Sequence, residues 1–227
     1  MVGEAQRLAD RSRTVVVTMT SHDAPRVPSA VPIDDSPAAR IAHAVKALGE
    51  AEVIERATAL LGGLNAGEEF LLYAGGRHAQ GILDGAPPLY WPELWGARVF
   101  LYVWNDSASY AIRAGLTNQA WRVREMCAKV VAERSIACPE QLAEIATDEV
   151  ARVRAQAARA LGVVGGAEQR GILKSLLKDP DIDVRRQAGA ALKAFTERVG
   201  AEAPVGEAPV GEAPATAESS AEEPAAE

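Results

Sequence analysis

Residues 148–158 read Asp148-Glu-Val-Ala-Arg-Val-Arg-Ala-Gln-Ala-Ala, and the same order of chemistry occurs twice more in the chain. Upstream stands Asn118-Gln-Ala-Trp-Arg-Val-Arg-Glu-Met-Cys-Ala, and downstream Asp179-Pro-Asp-Ile-Asp-Val-Arg-Arg-Gln-Ala-Gly. The anchor valines Val123, Val153 and Val184 are spaced by 30 and 31 residues. A period of that size holds two short helices with their turns, and one such unit cannot cover its own apolar face. The reading is therefore all-α, built from stacked helical hairpins.

Each shared position has a physical task. Asn118, Asp148 and Asp179 stand where a helix needs an N-cap, and the valine with the small residues after it makes a narrow face that lets neighbouring helices approach closely. Arg124, Arg154 and Arg185 each follow their cap by six residues.

Taken together, an acidic or amide residue, a valine, an arginine and an Ala-rich helix followed by a second helix resemble the HEAT repeat family. The resemblance is specific over residues 117–199. It implies a right-handed α-solenoid in which the acidic residue and the arginine form a ladder between repeats. On this chain that structural ladder would be carried by Asn118, Arg124, Asp148, Arg154, Asp179 and Arg185. Asn118 departs from the pattern, keeping the cap and losing the charge, so the ladder is expected to end there. The period is shorter than the roughly 40 residues of long HEAT arrays, and looks more like the short HEAT-like repeats shared with bilin lyases.

Outward from the repeats, residues 36–116 read as a divergent helical N-terminal cap with the first hairpins, needed because an end repeat must cover an apolar face. Ser36 and Pro37 suit a helix start, with Ile41, Val45 and Leu48 as its apolar stripe and Gly49 as its stop. A second helix follows with Val53, Ile54, Ala57, Leu60, Leu61 and Leu64 on one stripe, and a short third from Glu68 to Ala74. Gly75 to Gly81 reads as a turn, because it lacks the lysine and hydroxyl of a phosphate-binding loop and follows no strand. Residues 84–90 read as a loop, and Pro92 opens an apolar helix expected to run through Trp104 and to be buried from several sides.

Both ends differ in kind. Residues 200–227 form an Ala/Pro/Glu/Gly tail, with seven acidic and no basic residues from 201 onward, a composition that cannot offset the entropy of ordering. Residues 1–35, broken by Pro25, Pro28 and Pro32, read as a disordered leader. Met19 is a candidate start, with residues 1–18 as an upstream misread; a genuine flexible leader is the alternative.

The chain has 227 residues, 48% of them hydrophobic, which supplies a core for one large or two small domains and excludes a chain disordered throughout. Its net charge of −7 belongs to the tail, and what precedes residue 201 carries 24 acidic and 24 basic residues. That balance is not the one-sided charge of a dedicated nucleic-acid binder. No run of about 18 apolar residues or signal-peptide pattern occurs, so a cytoplasmic location without a membrane contact is expected.

Ten of the eleven aromatic residues lie between Phe70 and Trp121. Tyr90, Trp91, Trp95 and Tyr102 could form a stacking platform, or could fill the irregular core of a cap that lacks repeat regularity. Trp121 reads as a structural residue at a helix start. Because the repeats are nearly generic, specificity is expected where the sequence departs from them. The candidate partner-binding residues are Tyr90 and Trp91 in the loop from Asp84, then Tyr110 and Arg113 on the second helices that follow.

HEAT-like alkylpurine DNA glycosylases combine rings with a carboxylate on a basic face, and Asp84, Glu93, Asp106, Arg98 and Arg113 are near the aromatics. No tryptophan and aspartate pair matches that family's spacing, and Asp106 reads more simply as a helix cap. His22, His43 and His78 have no metal-ligand spacing. Cys127 and Cys138 are too few for a disulfide framework; Cys138, before Pro139 at a helix start, could have a lowered thiol pKa or merely occupy a cap position. The sequence favours a non-catalytic scaffold or adaptor with an unknown protein partner and no cofactor. A DNA-binding protein of the glycosylase type and a bilin-lyase-like chromophore chaperone are the alternatives.

Overall fold

A computed structural model describes residues 31–202. The leader up to residue 30, Met19 and His22 within it, and the tail from residue 203 lie outside the described residues. Among the described residues the chain forms eleven α-helices, two short 3-10 turns and no strand. They fall into two compact units, one ending at Asn105 and the other beginning at Asp106.

The first unit begins as its sequence dictates. Helix α1 (Pro37–Leu48) has Pro37 in its first turn, and the Ser36 hydroxyl accepts from the Ala39 N–H at 3.3 Å. Gly49, with φ +90°, ends α1 by donating to the Val45 carbonyl and leads directly into α2 (Glu50–Leu61). Ile41 and Ala44 of α1 are buried, as are Val53, Ile54, Ala57, Leu60 and Leu61 of α2. Helix α3 (Glu68–Gly75) follows a turn in which the Asn65 side chain accepts from the Gly67 N–H at 2.8 Å.

Two elements here correct the sequence reading. The segment expected as a glycine-rich turn is largely helix α4 (Arg77–Leu83). Gly76 alone makes the break, at φ +61°, where a Cβ would lie 2.8 Å from both the Arg40 guanidinium and the Ile33 carbonyl. Gly81 meets nothing within 4 Å and does not interrupt the helix. Helix α5 (Trp91–Val99) ends five residues short of the expected Trp104. The chain turns at Phe100, keeping Phe100 and Val103 buried while Tyr102 is exposed, and Phe100 meets Trp104 edge-on at 5.9 Å. Gly96 lets α5 lie directly on α2: a Cβ there would be 2.6 Å from the Leu61 nitrogen and 2.7 Å from the Ala57 oxygen.

The second unit alternates short and long helices: α6 (Ser109–Gly115) and α7 (Trp121–Arg134), α8 (Pro139–Ile145) and α9 (Ala151–Val164), α10 (Arg170–Leu176) and α11 (Ile182–Glu202). Each short helix packs on the long helix after it, and α9 packs on both α7 and α11. The long helix carrying each Val-Arg pair is thus the second of its hairpin, where the sequence reading made it the first. Tyr110 and Arg113 consequently sit on α6, a first helix and not a second one. Val123, Val153 and Val184 are fully buried, as are Ala128, Ala158 and Ala188 four or five residues later. Gly162 brings α9 against α11 so closely that a Cβ would be 2.8 Å from the Ala191 Cα.

Candidate functional site

The charged groups that the repeats share are bound to one another. Arg124 donates from Nε and Nη2 to the two carboxylate oxygens of Asp148, at 2.7 and 3.0 Å. Arg154 does the same to Asp179, at 2.8 and 2.9 Å. Nη1 of each arginine turns back to two carbonyls of the turn before its own helix: Asn118 and Gln119 for Arg124, Asp148 and Glu149 for Arg154. Arg185 repeats that half, donating to the carbonyls of Asp179 and Pro180 at 2.7 and 2.9 Å. Such planar two-point contacts are what a guanidinium makes best.

The capping role expected for the acidic and amide residues takes another form. Asn118, Asp148 and Asp179 accept from the N–H groups of Ala120, Val150 and Asp181, two residues on, at 2.8–2.9 Å. These are Asx turns ahead of the helix, and the positions next to α7 and α9 are Ala120 and Val150. Burial pushes the Asp148 carboxyl up, but the bonds from Arg124 and Val150 and the charge of Arg124 outweigh it and hold the group below its ordinary range. For Asp179 the Arg154 bond is the largest influence, and the carboxyl is again held low.

The aromatic residues divide between core and surface. Trp95 is buried, Tyr90 and Trp91 are half-buried, and Tyr102 is exposed. Tyr90 and Trp91 lie 5.1 Å apart, Trp91 and Trp95 stack at 6.1 Å, and the exposed His78 stands 4.4 Å from Trp91. His78 was absent from the sequence-based site because α4 was read as a turn. In the second unit Tyr110 is 63% exposed, and Arg113, also exposed, is one turn further along α6 on the same side. Trp121 is half-buried with the Arg122 guanidinium over its ring at 4.3 Å and that of Arg152 at 5.6 Å.

Several groups considered for catalysis are engaged otherwise. Arg98 donates to the Ala74 carbonyl at 2.8 Å, and Arg40 donates to that of Tyr73 at 3.0 Å, so both bind the C-terminal turn of α3. Burial lowers the pKa of each. Asp84 is exposed and accepts from Gln80 at 3.0 Å. The thiols are not activated: burial drives Cys127 far above its ordinary value and pushes Cys138 up to about 11, only partly opposed by the charge of Arg113. The lowered value conceivable for Cys138 is thereby corrected. Among the described residues no group of three or more His, Cys, Asp or Glu is placed to hold a metal ion, and no helix is long and apolar enough to cross a membrane.

Residues 139–203 match the family model of HEAT repeats. No curated protein and no solved structure matches the chain.

Proposed function

Residues 139–203 are HEAT repeats, and from that premise we propose that the protein is a non-catalytic, cytoplasmic scaffold that binds another protein. HEAT repeats commonly serve as interaction scaffolds. The observation that carries the reading is the division of labour in the second unit. The repeat arginines and aspartates are consumed by the ladder, while Tyr110 and Arg113 project from α6 into solvent. Tyrosine and arginine are the side chains that most often dominate interface energies. Tyr90 and Trp91 supply a separate contact on the first unit.

Affinity capture from native cells, followed by titration of the captured protein, tests this. Tyr110→Ala and Arg113→Ala should each weaken binding about tenfold or more without lowering the melting temperature. Unchanged affinity in both variants would remove α6 as the contact. A captured nucleic acid, with affinity falling steeply as salt rises, would overturn the scaffold reading.

A further inference from the structure

The first unit holds a cleft of about 500 Å3 between the end of α2, the start of α3 and the loop that leads into α5. Its walls are mostly hydrocarbon, from Leu60, Leu71, Ile82 and Pro88, and its mouth carries Leu64 and Leu89, which are 65% and 67% exposed. Leu89 holds that position with φ +49°, a left-handed conformation that leucine adopts at a cost. An apolar side chain held out to water by a strained backbone is stabilised if something apolar covers it.

The charged lining is one-signed. Glu93 and Glu68 reach the cleft, in the first turns of α5 and α3, and no lysine or arginine lines it. Glu93 Oε1 lies against Gly63, 3.8 Å from where a Cβ would stand, while Oε2 is buried without a hydrogen-bond partner. A buried carboxylate oxygen lacking a donor is costly and rare in folded proteins. The size of the cleft is that of small-molecule sites, with many apolar walls and few polar groups that fix orientation.

We infer that this cleft binds a small organic amine, whose ammonium group donates to the Glu93 carboxylate while its hydrocarbon stem lies along Leu60, Leu71 and Leu89. The ammonium meets the carboxylate on its cleft side, and its positive charge offsets the charge of a group whose other oxygen, Oε2, stays covered without a donor. Anionic ligands are disfavoured by Glu93 and Glu68 together, and a neutral alcohol lacks the charge. The site lies wholly within the first unit and does not depend on the scaffold reading.

Hexylammonium, hexanol and hexanoate titrated into the full chain, followed by amide NMR and calorimetry, test the assignment. Hexylammonium should give saturable shifts at Gly63, Gly67 and Leu89, and should bind roughly tenfold or more tighter than either other probe. Glu93→Gln should lose that preference, whereas Glu68→Gln should retain most of it. Equal binding of hexanoate or hexanol, or unchanged hexylammonium binding by Glu93→Gln, overturns the assignment. If Glu93→Gln lowers the melting temperature, Leu89→Ser at the exposed rim decides instead. Weakened hexylammonium binding at unchanged melting supports the site, and full retention overturns it.

Discussion

Arg154 holds Asp179 by two parallel bonds across a repeat boundary while a third nitrogen closes the turn that begins its own helix. One guanidinium thus fixes both the start of α9 and the spacing to the next hairpin, and its side chain is only 14% exposed. Arg152, two residues earlier, is 70% exposed, paired with Glu125 and resting over Trp121.

The contrast predicts a large difference between neighbours. Arg154→Ala leaves the Asp179 carboxylate buried without its partner and should cost about 2–4 kcal/mol. Arg152→Ala removes an exposed pair and should fall within about 1 kcal/mol of the parent. Chemical denaturation of both variants checks this, and equal stabilities would mean that the fork does not hold the repeats together.

The same forks set a pH dependence. Asp148 and Asp179 are both held below the unfolded carboxylate value. Their contribution is therefore complete above about pH 4 and is lost as the pH falls through the folded-state values. Melting curves from neutral to strongly acidic pH should show Asp179→Asn less stable than the parent at neutrality, with the gap closing in acid. A gap that persists undiminished in acid would contradict the linkage.

How much of this was legible beforehand follows from what a period can and cannot encode. Val123, Val153 and Val184 announce the repeat, because burial of one small branched side chain at the same place in each hairpin constrains sequence directly. A period has no origin, however, so it could not say whether the long helix opens or closes a hairpin. Nor could it say that Arg124 reaches forward to Asp148, 24 residues on, while also bonding the carbonyl of Asn118 in its own turn. In the first unit, Gly75, Gly76 and Gly81 looked like one flexible turn. Of the three only Gly76 takes a left-handed φ; Gly75 is helical but lies so close to the Trp95 ring that a Cβ would come within 2.4 Å of it, and Gly81 has open space. The aromatic cluster was visible as composition, but which rings are covered depends on non-repeating packing. Hence buried Trp95 and exposed Tyr110 carry no distinguishing sequence signal.

Thiol chemistry gives a third prediction. Cys127 and Cys138 are buried, and burial raises both thiols well above neutrality. In the native protein at about pH 8 neither should react with a disulfide reagent on the timescale of exposed cysteine, and both should react once the chain is unfolded. Absorbance of the released thiolate measures it. Fast modification of one native thiol would show that its surroundings open.

Two glycines supply the last test, because their surroundings are opposite. Gly162 sits where α9 meets α11, and a Cβ there would come within 2.8 Å of both the Cα and the Cβ of Ala191. Helix backbone cannot retreat without moving the hairpin, so Gly162→Ala should destabilise by about 1–3 kcal/mol despite alanine's higher helix propensity. Gly171, in α10, faces open space. There the added methyl only restricts the unfolded chain and favours helix, so Gly171→Ala should stabilise by up to about 1 kcal/mol. Denaturant midpoints for the pair check both signs. If Gly162→Ala is neutral, α9 and α11 are not held at the separation that the Gly162 and Ala191 contact requires.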